Sequence, residues 1–340
     1  MTRLFILVLL ATSITTNGNI SAQAVSPRSQ YDRKKCVCKF PAMGVEFRIV
    51  AYASREIDFQ LVKRQIKDRV EQLEAIFSDY RQNSEVKRLA DSAPHQEPVV
   101  VSDELYEVCK LSQHYFETTS GAFDPSIGPL SQLWRFARKR NRIPEPSKVT
   151  QAFAHVGWNQ VDLRTEGKIV LKGNAMQLDF GGIVKGFAAD QVIKLLERNS
   201  ITSALVDAGG DIRVSSAPPG EAGWSIATSN HSDSGAKMSL ANLAVATSGS
   251  TKQRLVRNGK LYSHIIDPRN GKPVAHSINV TVIASDGAEA DALASAFSIL
   301  GTEQSLRLAN ASDEIFAMFV DLESGRVVRS QGYERFFERK

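Results

Sequence analysis

Apolar residues recur along this chain with two periods, and the switches between them mark out its elements. Over residues 40–53, Val45, Phe47, Ile49 and Ala51 alternate with other residues, the two-residue period of a half-buried strand. Over 57–80 the spacing changes. Ile57, Leu61, Ile66, Val70, Leu73, Ile76 and Phe77 recur at helical intervals, with charges on the opposite face. A short extra helical turn is predicted over 84–89. Ser102 is an N-cap for a helix reaching about Thr118. Two glycines and two prolines within 121–130 make a shaped loop, which leads into a short helix carrying Trp134. Pro144 and Pro146 mark a break before a helix over 147–155. Residues 161–163 and 168–171 pair as a hairpin around Thr165, Glu166 and Gly167.

The second half continues the alternation. An apolar run over 175–180 contains Asp179, breaks at Gly181 and Gly182, and passes into helical spacing over 183–196. That order reads as strand, tight turn, helix, and the backbone geometry open to a glycine pair is the reason for the two glycines. Strand, glycine turn and strand follow over 203–214, with further strands at 224–227, 243–247, 262–267 and 280–284. A helix over 288–300 stops at Gly301, and 316–320 with 326–330 closes the chain as a hairpin. Many strands with helices interspersed, no βαβ regularity and no internal repeat define an α+β fold.

Composition narrows the partners. At 340 residues, 42% hydrophobic and 23% charged, the chain is an ordinary globular protein with room for a large core. Its formal net charge of +5 is modest, and no basic stripe is interleaved with aromatics, which argues against a nucleic-acid partner. The one dense basic run, Arg135, Arg138, Lys139, Arg140 and Arg142, reads as a solvated helix end and loop. Arg3, an apolar stretch over 4–11 and the small-residue site Ala22-Gln23-Ala24 make residues 1–24 a secretory signal. The mature chain is therefore expected to be exported to the periplasm, either soluble or peripheral to the inner membrane. No lipobox is seen, because Cys36 lies well beyond the apolar run. Residues 25–39 are polar and basic and read as a flexible segment, which leaves one domain over 40–340. Cys36, Cys38 and Cys109 are too few for a disulfide framework, and no role is assigned to Cys36 and Cys38.

The candidate chemistry gathers at a few places. Asp179, Gly182 and Lys185 sit where a turn enters a helix, suited either to phosphate oxygens or to a plain connection. The spacing matches neither G-x-G-x-x-G nor a P-loop. Asp291 and Ser295, four apart on a predicted helix, present hard oxygen ligands of the kind Mg²⁺ takes. The alternative is an acid near a helix start plus an ordinary helix serine. His264 precedes the Asp267-Pro268 turn, which would hold it at a sheet rim as a general base or as a structural histidine. Asp124 and Tyr80 read equally well as a turn residue and a core aromatic.

Four motifs occur in order with these residues: G-A-F-D-P-S-I-G-P-L, D-F-G-G-I-V-K-G-F-A-A-D, S-H-I-I-D-P-R-N-G and A-D-A-L-A-S-A. With them, the chain resembles the ApbE family of FAD:protein FMN transferases from about Met43 to the C-terminal hairpin. The resemblance implies a T-fold-like architecture, a twisted and largely antiparallel sheet flanked by helices. It also implies FAD as substrate, Mg²⁺ as cofactor, and transfer of FMN to a threonine hydroxyl with release of AMP. The acceptor would be a flavoprotein with a threonine flavinylation motif, a redox-driven membrane subunit or an exported one. By resemblance, Met43, Tyr80, Ala122, Phe123, Asp124, Asp179, Lys185 and Ile265 would contact FAD. The Gly182 carbonyl, Asp291 and Ser295 would hold the metal, and His264 would help deprotonate the threonine. Ser295, Val45, Asp207 and Phe187 depart from the family's usual threonine, threonine, asparagine and tyrosine. Ser248 to Thr251 looks like part of an acceptor motif, but Val245 stands where its aspartate belongs, so self-flavinylation is not expected. An FAD pyrophosphatase giving FMN and AMP remains an alternative, as does a non-catalytic flavin-binding protein. Retention of Asp291, His264 and Lys185 speaks against the latter.

Overall fold

The structure is a computed structural model that describes residues 33–227, 237–249, 254–257 and 260–337. The proposed signal over 1–24 lies outside the described residues, and no helix among those described is long and apolar enough to cross a membrane.

One eight-stranded sheet organises the chain, formed by β1 (Arg33–Ala42), β2 (Val45–Ser54), β3 (Ser203–Ala208), β4 (Ile212–Val214), β5 (Ala244–Gly249), β6 (Ile278–Ala284), β7 (Phe316–Asp321) and β8 (Val327–Arg329). The strands lie side by side in chain order, and every pairing is antiparallel. The expected largely antiparallel sheet is therefore present. About 150 residues intervene between β2 and β3, and they carry most of the helices. These are α1 (Phe59–Phe77), α2 (Glu85–Asp91), α3 (Asp103–Thr118), α4 (Gly128–Lys139), α5 (Pro146–Phe153) and α6 (Val184–Arg198). Two more, α7 (Gly287–Leu300) and α8 (Thr302–Asn310), join β6 to β7.

Strand alternation explains the layers. On one face Phe47, Ile49, Ala51, Val280 and Val282 pack under α1, α6 and α7 in the main core. On the other face Val50, Val245, Ile283, Phe316 and Met318 pack against the hairpin Trp224–Ala227 and Lys237–Leu240. Side-chain caps set several helix starts: Asp58 accepts from Gln60 N and Leu61 N, Ser84 from Lys87 N, and Ser102 from Leu105 N. Gly301, with φ 77°, ends α7 as expected.

Several sequence expectations change. Residues 33–39 are not a flexible segment but the first part of β1. Cys36, Cys38 and Phe40 alternate inward and are buried, and all three cysteines are free thiols in the core. The single strand expected over 40–53 is a hairpin, turned at Met43 and Gly44, which both have positive φ as a two-residue hairpin turn requires. Residues 175–180 form no regular strand; they make one bridge, Gln177 to Ile127, and Asp179 N donates to Pro125 O at 2.7 Å. Helix α8, nine residues directly after Gly301, is an addition to the elements expected from the sequence.

Candidate active site

A cleft of about 1310 Å³ opens where the β3–β4 and β5–β6 strands meet the N-terminal turn of α6, the middle of α7 and one side of α4. Every residue named above as a candidate for FAD, metal or catalysis lines it: Met43, Tyr80, Ala122, Phe123, Asp124, Asp179, Gly182, Lys185, His264, Ile265, Asp291 and Ser295. They come from segments more than 200 residues apart, so the fold alone makes them neighbours.

The centre of the cleft is charged. Asp291 is buried on α7, and its carboxylate accepts from Lys185 Nζ at 3.1 Å and from Gly186 N at 3.3 Å. Lys185 also pairs with Asp211, at the start of β4. Two buried carboxylates thus share one ammonium. Burial pushes the Asp291 carboxyl upward, and Asp211 adds to this against the pull of Lys185. The same two carboxylates outweigh burial at Lys185 and hold its ammonium charged. A further cation would relieve the remaining negative charge.

Ser295 stands one turn beyond Asp291 on the same face of α7. A Cβ built on Gly182 would lie 2.8 Å from Ser295 Oγ and 3.2 Å from its Cβ. Neither Gly181 nor Gly182 has a positive φ, so left-handed backbone is not the reason for the glycine pair. The reason at Gly182 is room for Ser295. The Ser295 hydroxyl has no hydrogen-bond partner among the described residues. No group of three or more His, Cys, Asp or Glu among the described residues is arranged for a metal. One carboxylate, one orphan hydroxyl and an adjacent backbone carbonyl do fit Mg²⁺, which keeps waters or phosphate oxygens in its other positions.

The rest of the lining divides into support and rim. Asp124 is buried and spends its carboxylate internally: Oδ1 accepts from Ser126 N at 2.8 Å and Ser126 Oγ at 2.6 Å, and Oδ2 from Trp158 N at 3.3 Å. It shapes the loop that presents Ala122 and Phe123. Burial raises its carboxyl despite these bonds. Asp179 Oδ1 accepts from Gly181 N at 2.9 Å, and Oδ2 faces Arg135 at 3.5 Å. Tyr80 is exposed at the rim, with the Arg135 guanidinium 4.1 Å from its ring centroid. His264 and Ile265 occupy the break between Lys260–Ser263 and Ile266–Asp267, where Ile265 N donates to Ser263 Oγ at 3.1 Å. The following turn is tied down by Asp267, which accepts from Arg269 N at 2.9 Å and Asn270 Nδ2 at 3.0 Å.

Arg135 and Arg138 correct the reading of the basic run as purely solvated. Both line the cleft. Arg135 bridges Asp79, at 2.7 Å, and Asp179. Arg138 has a buried Nη1 without a partner among the described residues, and burial followed by Arg135 lowers its pKa. Their i, i+3 spacing, each directly after a core residue (Trp134 and Ala137), is the signal that was available in the sequence. Asp211 and Asp79 are the other additions. Asp211 follows a glycine pair after a strand, but nothing local links it to Lys185.

Comparison with known proteins identifies the family. The ApbE family profile matches residues 43–319. The FAD:protein FMN transferase of Treponema pallidum is 30% identical over 311 residues, 86% of this chain and 84% of that one. That of Chlamydia muridarum is 33% identical over 259 residues, 74% of this chain and 77% of its own length. Among solved structures, the Pseudomonas stutzeri flavinyl transferase ApbE, apo form, superposes with a TM-score of 0.82 at 27% identity, covering 91% of this chain and 98% of that one. The ApbE protein of Thermotoga maritima superposes at 0.80 and 29% identity, covering 90% and 100%. Fold, cleft and relatives together define the protein as an enzyme of the transferase class. The chain belongs to the ApbE family.

Proposed function

We propose that the protein transfers the FMN moiety of FAD to a threonine hydroxyl of an acceptor flavoprotein, in a Mg²⁺-dependent reaction that releases AMP. The observation that carries this reading is the meeting of Gly182, Lys185, Asp291, Ser295 and His264 in a single cleft. A pyrophosphate under attack accumulates negative charge, and catalysis of such a step is mainly positioning and charge stabilisation. When bound, Mg²⁺ supplies that stabilisation and screens the pyrophosphate from Asp291 and Asp211.

The chain's own residues account for the remainder. His264 accepts the threonine proton as the hydroxyl oxygen bonds to the phosphorus of the FMN half. The bond from that phosphorus to the bridging oxygen breaks, and AMP leaves with the electron pair. Lys185, kept cationic by Asp211 and Asp291, offers a fixed charge beside the phosphates. Tyr80, Met43 and the Ala122–Asp124 loop give the flavin or adenine a partly apolar wall. Export through residues 1–24 belongs to the same proposal and would bring the enzyme to exported or membrane-bound acceptors.

Incubation with FAD and Mg²⁺, with and without a threonine-bearing acceptor domain, tests the reaction. Transfer yields a fluorescent acceptor band that survives denaturation, together with an equal amount of AMP. AMP formed equally fast without acceptor, with no such band, would make the enzyme an FAD pyrophosphatase.

A further inference from the structure

Helices α6 and α7 cross at Gly186 and Gly287. Their backbones touch there, and a Cβ built on either glycine would run into the carbonyl group of the other. Four residues beyond each glycine stands an aspartate, Asp190 on α6 and Asp291 on α7, so both helices carry the pattern G-x-x-x-D. The bonding across the crossing is reciprocal. Gly186 N donates to Asp291 Oδ2 at 3.3 Å. In return, Gly287 N donates to Asp190 Oδ1 at 2.8 Å and Ala288 N to Asp190 Oδ2 at 3.0 Å. Each aspartate also faces a cation, Lys185 at 3.1 Å for Asp291 and Arg213 Nε at 3.2 Å for Asp190.

This clasp does something that packing alone does not. The crossing point itself is made of Gly186, Gly287 and Ala288, which bring the backbones close but have no long side chains to interlock. Such a surface leaves the helices free to slide or rotate unless a directional bond stops them. Asp190 provides two directional bonds to consecutive N–H groups in the first turn of α7, where the helix dipole also favours a carboxylate. Two bonds to adjacent groups set rotation as well as height. Asp291 and Ser295 lie one and two turns further along the same helix, so their approach to Lys185 and Gly182 follows from how that first turn is held.

We propose that Asp190 is a positioning residue for the metal-binding face of α7: its carboxylate, through Gly287 and Ala288, sets Asp291 and Ser295 against the Gly182–Lys185 turn. Asp190 touches neither metal nor substrate. The inference rests on the metal assignment made above, and its test is built so that the two can fail separately.

The test is Asp190→Asn in the full chain, which keeps the shape but offers only one acceptor to two N–H groups. Mn²⁺ binding to the FAD-free protein, followed by electron paramagnetic resonance, should weaken roughly 10–100-fold, the usual cost of losing an outer partner of a metal site. The Mg²⁺ concentration for half-maximal transfer should rise by a similar factor, with the rate at saturating Mg²⁺ largely kept. A purely structural role would lower the melting temperature and leave both metal readouts unchanged, and that result overturns the proposal. A fall in saturated rate with unchanged metal dependence overturns it as well. If Asp190→Asn does not fold, Arg213→Gln carries the test: it leaves the two caps in place and should weaken Mn²⁺ binding in the same direction by a smaller factor, and unchanged affinity refutes the clasp. A wild-type protein that binds Mn²⁺ but transfers no flavin would overturn the function reading, while the Mn²⁺ comparison would still decide the role of Asp190.

Discussion

Substituting Gly182 by alanine puts one methyl group between the α6 turn and α7. The methyl carbon would lie 2.8 Å from Ser295 Oγ, 3.2 Å from Ser295 Cβ and 3.5 Å from the Phe123 ring, where ordinary contacts run from 3.4 to 4 Å. The backbone at Gly182 has no positive φ, so alanine meets no conformational penalty there and the effect is purely one of space. Rotating the Ser295 hydroxyl relieves the first contact but not the second, because the Cβ position is the same in every rotamer. The turn or the helix must therefore retreat by a few tenths of an ångström, and α7 is buried and cannot retreat freely. Overpacking of this kind costs about 1–3 kcal/mol. At roughly 2–4 °C per kcal/mol for a large domain, the melting temperature should fall by about 2–12 °C. The Ser295 hydroxyl also leaves the place proposed for a metal ligand, so the half-maximal Mg²⁺ concentration for flavin transfer should rise about tenfold, equivalent to losing roughly 1.4 kcal/mol of binding. Thermal melts and a Mg²⁺ titration of acceptor fluorescence measure both effects. Adding Ser295→Ala should recover part of the lost stability, because it removes the Oγ contact, and the two substitutions should be non-additive. A Gly182→Ala protein that melts and responds to Mg²⁺ like the wild type would refute the contact and the glycine's explanation together.

Other residues of the cleft separate by what they should change. Asp291→Ala should abolish transfer at limiting Mg²⁺ while Lys185 keeps Asp211 as partner and the protein stays folded; undiminished activity there would rule out Asp291 as the charged metal ligand. Lys185→Met leaves Asp211 and Asp291 buried together without their shared cation, and should cost about 3–5 kcal/mol in chemical denaturation of the metal-free protein. His264→Gln should keep FAD binding, measured by fluorescence quenching, and slow transfer by about 10²–10⁴-fold, the usual contribution of a general base; an unchanged rate would remove His264 from the reaction. Arg135→Gln exposes Asp79 and Asp179 to each other and takes the guanidinium from Tyr80, so the KM for FAD should rise more than kcat falls.

Much of the fold was legible because each element carries its own local cause. The helical spacing over 57–80, the short helical turn over 84–89, the cap Ser102 and the stop at Gly301 all reappear where local chemistry puts them. The misreadings share a different cause. Lys34 and Lys35 beside Cys36 and Cys38 made the first strand look like a polar tail, because charge count obscured the two-residue alternation. Residues 175–180 are apolar enough for a strand, yet Met176, Leu178 and Phe180 are buried in the main core without a paired neighbour strand. In the basic run, two arginines one helical turn apart turn into the cleft while Lys139 and Arg140 stay exposed. Composition cannot make that division; the rotation of α4 against the core does.

The sequence by itself determined which residue types were available for chemistry and which motifs hold them, and its resemblance to the ApbE family named the candidates. Only the tertiary structure decided how they act on one another. Lys185 sits between Asp211 and Asp291, and Asp190 accepts from the first N–H groups of a helix that begins 97 residues later, at Gly287. These contacts join parts of the chain that no local period connects. The glycine pair after Asp179 illustrates the difference. In sequence its meaning was backbone freedom; in the folded protein Gly182 is the space into which Ser295 fits, a reason that exists only once α7 has packed against the turn.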